Sequence, residues 1–237
     1  MQLFYAPDIT LPLYTLSEEE SAHSVKVLRL AAGDTVTLTD GRGTLYRAVV
    51  EQPHPKHCTV RITGTTDNFE RRDYSITVAV APTKNFDRME WFTEKAVEVG
   101  VDCIIPIECR HSERRAVKVD RLEKIAVSAL KQSLKAYATR IAPLTPVEKV
   151  LTMPFEGRKL IAHCEPDVEK VFIGEALRAG ENTLVLIGPE GDFSKEEIAS
   201  ARSNGFTEIS LGRSRLRTET AALTAVMFAA FLNETQK

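Results

Sequence analysis

Two stretches near the C-terminus restrict what this chain can fold into more than any other feature. One is Leu184-Val-Leu-Ile-Gly-Pro-Glu-Gly-Asp-Phe-Ser-Lys-Glu-Glu197; the other is Ile209-Ser-Leu-Gly-Arg-Ser-Arg-Leu-Arg-Thr-Glu-Thr-Ala-Ala222. Each is an apolar, strand-like run that stops at a glycine, makes a short loop and enters a helix. In an open α/β sheet, ligands lie beyond the carboxyl ends of the strands, where such loops gather. Gly188 and Gly191 bracket Pro189-Glu190 and let the backbone turn sharply, and Gly212 does the same after Leu211. Ser194 with Glu197 forms a capping box that starts a helix, and Thr218 is a suitable N-cap for a last helix over Ala221 to Leu232. Either loop alone is an ordinary strand-to-helix turn. Together, with Arg213, Arg215 and Arg217 in the second, they read as neighbouring walls of one pocket.

Upstream of these loops the pattern alternates. Tyr74 to Ala81, Val101 to Ile107 and Lys159 to Cys164 read as strands. Asp87 to Val99 reads as a helix closed by Gly100, with Met89, Phe92, Ala96 and Val99 on one face. Asp120 caps a long helix predicted over Leu122 to Tyr137, and Val168 to Ala179 includes a further helix. Strand alternating with helix means an α/β fold with a parallel sheet covered on both sides.

The first seventy residues differ. Ser17 and Glu20 make a capping box for a helix running from Ser17 to Leu28. Thr35 to Thr39 and Thr44 to Val50 flank Asp40-Gly-Arg-Gly, a hairpin signal, and His57 to Gly64 is another strand. Short strands with tight turns suggest a small β-barrel. The polar, aperiodic run Thr65 to Asp73 marks the boundary, giving domains 1–70 and 74–237.

Composition excludes several classes. In 237 residues no apolar stretch approaches the length needed to span a bilayer, and the N-terminus lacks a basic region followed by an apolar run. Cys58, Cys103, Cys109 and Cys164 form no C-x-x-C pair, so free thiols, no metal and a cytoplasmic location are expected. His54, His57 and Cys58 lie close in sequence, but no fourth ligand stands nearby. The net charge of −2 does not announce a nucleic-acid binder. Its distribution is uneven, however. Nine basic and four acidic side chains lie between Glu108 and Arg140, while the rest of the chain carries seven more anions than cations. Such a stripe suits phosphate contact, although a solvated helix face has the same appearance.

The strand–GPEG–x–F loop followed by strand–LG–x–x–x–LR–T–E–T–A resembles the S-adenosylmethionine site of the RsmE-type 16S ribosomal RNA (uridine-N3) methyltransferases, within the SPOUT superfamily. The resemblance extends to Lys84 with Arg88, Glu94 to Val101, Ser112 to Arg114 and Ala129 to Ser133. The segment His23-Ser-Val-Lys-Val-Leu-Arg29, with Gly33-Asp34 and the Asp40 turn, is similar to that family's N-terminal PUA-like, RNA-binding domain. The chain departs from the pattern in two places. Asp192 stands where many members carry a third glycine, and Arg213-Ser-Arg215 replaces a common proline and aliphatic residue.

The resemblance implies a SPOUT domain with a C-terminal deep trefoil knot, an exception to the rule that chains do not thread loops. It further implies a homodimer, for which the last helix is either interface or plain core. The cofactor would be S-adenosyl-L-methionine, held by His163, Cys164, Glu165, Ile187, Gly188, Pro189, Glu190, Gly191, Leu211, Gly212, Leu216, Arg217 and Thr220. The reaction would methylate N3 of a uridine in small-subunit ribosomal RNA. Loss of the N3 proton leaves charge on the flanking carbonyls, which a guanidinium stabilises. Arg217 is the candidate for that role, with Glu190 or Glu219 as proton acceptor. Arg217 can equally hold phosphate or the cofactor carboxylate, and Glu219 can be a first-turn acid favoured by the helix dipole. RNA contacts would come from His23, Lys26, Arg29, Lys84, Arg88, Arg114 and Arg215, His23 being alternatively a partly buried helix histidine. Three rival readings are a silent RNA-binding module on the same scaffold, a ribose 2′-O-methyltransferase and a dinucleotide enzyme. The last lacks G-x-G-x-x-G after its first strand, and the N-P-x-N-x-G element of ribose methylation is missing.

Overall fold

The computed structural model describes residues 2–166 and 168–235. Met1, Asp167, Gln236 and Lys237, which the predicted domain ranges include, lie outside the described residues. The chain forms two compact units. The first comprises Met1–Arg71 with Leu130–Ala138; the second comprises Arg72–Ala129 with Thr139–Lys237.

The first unit begins with β1 (Leu3–Tyr5), β2 (Leu13–Thr15) and α1 (Glu18–Ala22), then continues with β3 (Thr35–Thr39), β4 (Leu45–Gln52) and β5 (Thr59–Thr66). The strands make a five-stranded sheet in the order β1-β3-β4-β5-β2, antiparallel except where β1 runs beside β3. Phe4, Leu38, Val50 and Val60 fill its core. Asp40 makes the predicted β3–β4 turn by accepting the amides of Arg42 (2.7 Å) and Thr44 (3.3 Å).

The predicted helix from Ser17 to Leu28 is corrected in two respects. Only Glu18–Ala22 is α-helical, and His23–Val27 continues as a π-helical turn. The capping box is also only half made. The Ser17 hydroxyl accepts the Glu20 amide at 3.2 Å, but the Glu20 carboxylate turns instead to Lys131 Nζ at 2.6 Å.

The second unit contains β6 (Ile76–Val80), α2 (Phe86–Val99), β7 (Cys103–Glu108) and α3 (Val119–Gln132), the last of which runs into the first unit. There follow β8 (Arg140–Ile141), β9 (Thr145–Pro146), α4 (Val147–Thr152), β10 (Arg158–Ala162), β11 (Val171–Phe172) and the single turn α5 (Ile173–Ala176). The chain closes with β12 (Thr183–Ile187), α6 (Lys195–Ser203), β13 (Thr207–Ser210) and α7 (Thr218–Thr235). The sheet order is β11-β13-β10-β12-β6-β7-β8, with β9 beside the end of β7, and every pair is parallel. β6 and β12 are buried along their whole length, as parallel strands covered on both faces should be. Among the described residues, no helix is long and apolar enough to cross a membrane.

The helix predicted over Leu122 to Tyr137 stops at Gln132. No glycine or proline breaks it. Leu134 takes a left-handed φ of 57°, and the chain then lies along the β3–β4 turn. There the Ala136 carbonyl accepts the Thr39 hydroxyl (3.1 Å) and the Gly43 amide (2.9 Å), and the Ala138 amide donates to Gly41 (2.9 Å). Backbone groups that a longer helix would have satisfied internally find partners in the small sheet instead. Gly43 is required at that turn. Its φ is 103°, and a Cβ would fall 2.3 Å from the Tyr137 ring.

The Glu20–Lys131 pair holds this strap from the side. The second Glu20 carboxylate oxygen is buried without a partner, so the acid depends on Lys131 for compensation. Lys131→Met is expected to lower stability by about 2 kcal/mol, at or below the low end for breaking a buried pair because the lysine keeps some water contact. Glu20→Gln added to that variant should recover part of the loss, as chemical denaturation of the single and double variants will measure.

Candidate functional site

β10 lies between β12 and β13, and all three run in the same direction. Their registers end together, because Ala162 is opposite Ile187 on one side and Ile209 on the other. The next residues therefore leave the sheet along one edge. They are His163-Cys164-Glu165 after β10, Gly188 to Ser194 after β12 and Leu211 to Arg217 after β13. Gly188 and Gly212 thus follow strands that flank one common neighbour, as the paired glycine loops predicted. Strand spacing places β12 and β13 about 10 Å apart.

The first loop is rigidly held. Ser194 and Glu197 complete their capping box at 3.2 and 2.7 Å, and the second Glu197 oxygen accepts the Arg110 amide at 2.8 Å. Glycine at positions 188 and 191 relieves crowding rather than serving the sharp turn expected. Neither has a positive φ. Instead a Cβ at Gly188 would stand 3.0 Å from the Phe193 ring, and one at Gly191 would stand 3.1 Å from His111 Cβ. The left-handed residue is Asp192, with φ 63°. Its amide closes a turn on Pro189 at 2.9 Å, and its carboxylate accepts the amides of Phe193 (2.8 Å) and Cys164 (2.7 Å). His111 Nδ1 bonds to the carbonyls of Gly191 and Asp192, each at 3.1 Å.

The second loop begins at Gly212, whose φ is 126°. Its amide is not bare, because it donates to the Ser210 hydroxyl at 3.2 Å. Arg213, Arg215 and Arg217 are exposed, and none of them forms an ion pair among the described residues. Leu211, before them, and Leu216, between the last two, are half-buried. Thr218 is the first residue of α7 rather than its N-cap. Its hydroxyl donates to the Gly188 carbonyl at 3.3 Å and so pins the start of the helix to the first loop. The Ala221 amide bonds to the Arg217 carbonyl at 2.8 Å, which makes Arg217 the residue that enters the helix.

The two candidate acids differ. Glu190 is exposed, and its Oε1 accepts the Lys84 amide at 3.0 Å. Glu219 is buried and faces Arg88 Nε at 3.8 Å. Arg114 bonds to the carbonyls of Thr83 (3.2 Å) and Lys84 (2.9 Å) and stacks on Phe86, so it braces the loop after β6. Lys84 pairs with Glu113 at 3.0 Å. Thr220 is exposed on the first turn of α7. In the first unit, His23, Lys26 and Arg29 are all exposed on or beside the π-helical turn. All four cysteines are free thiols; only Cys164, at the strand-end edge, is exposed. A depression of about 540 Å³ at the start of α3, lined by Val117 to Arg121 and Lys124, includes none of these loops.

His163 contributes a buried framework rather than an open wall. The Glu165 amide donates to its Nδ1 at 3.3 Å, which leaves the proton on Nε2, 2.9 Å from Glu208 Oε2. Glu208 also binds Arg202 Nε at 2.7 Å. The Arg202 hydrogen bond, opposed by burial and assisted by His163, holds the Glu208 carboxyl below its ordinary range. Sequence reasoning missed this network, together with Asp192 as a tie, His111 and the inward bond of Thr218. Residue 208 is opposite residue 161 only through strand pairing, and no local pattern announces that.

Two family models cover the chain. A model of the RNA methyltransferase domain matches residues 70–230, and a model of the RNA methyltransferase PUA domain matches residues 16–63. The ribosomal RNA small subunit methyltransferase E of Mycobacterium bovis is 30% identical over 94% of this chain and 89% of its own length. The crystal structure of a probable rRNA-methyltransferase from Porphyromonas gingivalis is 44% identical and superposes with a TM-score of 0.94 over the whole of both chains. A putative methyltransferase from Legionella pneumophila, solved with bound cofactor SAM, is 30% identical, with a TM-score of 0.85 over 95% of each chain.

The folded-state pKa of Glu208 lies below its unfolded value, so the stability it contributes is present above the ordinary carboxylate range and is lost as pH falls through the folded value. Glu208→Gln should therefore flatten the fall in unfolding free energy as the pH drops through and below the ordinary carboxylate range. Denaturation midpoints of both proteins across that window will check this.

Proposed function

Because the chain belongs to the RsmE family of RNA methyltransferases, we propose that it uses S-adenosyl-L-methionine to methylate N3 of a uridine in small-subunit ribosomal RNA, and that it does so in the cytoplasm. One observation carries this reading. Three parallel strands end together, and the loops leaving them bring backbone-lined turns beside the exposed Arg217 at the mouth of α7. The cofactor supplies an electrophilic methyl group on a sulfonium, so catalysis rests on alignment and exclusion of water. Residues 163–165, 187–191, 211–212 and 216, with Thr220, would hold it, using backbone groups against an apolar slot.

Arg217 stabilises the charge that develops on the uracil carbonyls as the N3 proton leaves. Glu190 is the better proton acceptor. One of its oxygens is anchored by the Lys84 amide and the side chain is exposed, whereas Glu219 is buried against Arg88. Arg213 and Arg215, exposed on the same loop, bind phosphate. His23, Lys26 and Arg29 give the first unit its own cationic surface for RNA, and the target base must be splayed out to be reached. The strand order β13-β10-β12, with α7 packed back on β6, β12 and α2, supports reading this connection as the family's trefoil knot.

The test is incubation with methyl-labelled cofactor and small-subunit RNA or particles, followed by mass spectrometry of the digested RNA. A methyl group on uracil N3 is the expected result. A methyl on ribose, or RNA binding without transfer, would replace the proposal with one of its rivals. Arg217→Ala should reduce kcat about 100-fold, with a smaller change in RNA affinity.

A homodimer fits the outer face of α7. Met227 and Phe231 are exposed there, Phe228 stacks edge-on against Phe172 at 5.3 Å, and Val171 is exposed alongside. Such a contiguous apolar face marks an interface. Phe231→Glu is expected to shift the protein from dimer to monomer, as sedimentation or light scattering will show.

A further inference from the structure

The last ladder pair between β10 and β12 is Ala162 with Ile187. One further cross-link lies beyond it, made by the Asp192 side chain. A turn closed on Pro189 brings Asp192 back toward the sheet edge in a left-handed conformation. One carboxylate oxygen then accepts the Phe193 amide of its own loop at 2.8 Å, and the other accepts the Cys164 amide of the neighbouring loop at 2.7 Å. The Asp192 carbonyl meanwhile bonds to His111 Nδ1 at 3.1 Å, on the segment that follows β7. Three loops therefore meet at one residue. A glycine would take this φ at no steric cost, but it would bring no acceptor for Cys164. Asparagine also tolerates the conformation but has a single acceptor oxygen, so it can satisfy only one of the two amides.

We infer that Asp192 is a positioning residue for the cofactor: its carboxylate extends the β10–β12 pairing past the end of the ladder and fixes the Cys164-Glu165 backbone as a preformed wall. The inference rests on the cofactor reading above. The downstream side of that wall is held separately, by the Glu165 amide on His163 and by Lys170 Nζ on the Glu165 carbonyl (2.5 Å). The Cys164 amide depends on Asp192. Charge-assisted bonds to backbone amides are about twice as strong as neutral ones, and a preordered wall spares the ligand the cost of ordering it.

The experiment compares Asp192→Gly and Asp192→Asn with the unsubstituted full-length protein. Titration calorimetry gives S-adenosylmethionine affinity, amide exchange reports on Cys164, and thermal unfolding monitors the fold. Asp192→Gly should raise Kd for the cofactor about tenfold, equivalent to about 1.4 kcal/mol, with faster exchange at Cys164. The cofactor KM should rise more than kcat falls. Asp192→Asn should lie between, and it carries the test should the glycine variant fail to fold. A released Cys164 amide with unchanged cofactor affinity would overturn the inference. Failure of the unsubstituted protein to bind S-adenosylmethionine would instead remove the cofactor reading, and this inference with it. The two failures are separable because the amide measurement needs no cofactor.

Discussion

The candidate site depends on β10 pairing in parallel with two strands that follow it in sequence. Because β12 lies on one side and β13 on the other, three carboxyl ends reach the same edge at the same register. Parallel pairing requires long crossover connections, and here α6 provides the one between β12 and β13. Fully buried strands leave little freedom to slip, since a one-residue shift would send every side chain of β12 and β6 to the opposite packed face. The loops thus start from fixed points, and their chemistry is set by what they do within a few residues of leaving the sheet.

Those residues are tied by polar contacts of unequal kind. The Glu197 carboxylate serves both its own helix cap and the Arg110 amide. Thr218 joins the start of the last helix to Gly188, and Asp192 joins the loop after β12 to the loop after β10. By contrast, the guanidiniums of Arg213, Arg215 and Arg217 are exposed and form no ion pair among the described residues. Such walls beside exposed cations would suit the substrate proposed above, because preorganised donors need no rearrangement when charge develops.

Much of this could be read from the sequence. Apolar runs ending at glycine located β12 and β13, the Ser194 box located α6, and the Asp40-Gly-Arg-Gly turn located the β3–β4 hairpin. The readings that failed share a cause. Glu20 was taken from its cap by Lys131, more than a hundred residues away, and α3 ended early because Ala136 and Ala138 found partners in the small sheet. Thr218 looked like an N-cap but bonds to Gly188 instead. Local pattern describes what a segment favours by itself. It cannot register a distant partner that satisfies the same hydrogen bond in another way.

The strap of residues 130–138 has a consequence for biosynthesis. The small sheet is specified almost entirely by the first seventy-one residues, yet the groups that cover its β3–β4 turn emerge only after β6, α2, β7 and α3 have been made. At about 5–20 residues per second, the nascent N-terminal sheet waits roughly 3–13 s for its closing segment. Over that interval the Thr39 hydroxyl, the Gly43 amide and the Glu20 carboxylate rely on water. The first unit to begin folding therefore cannot finish until part of the second has been made.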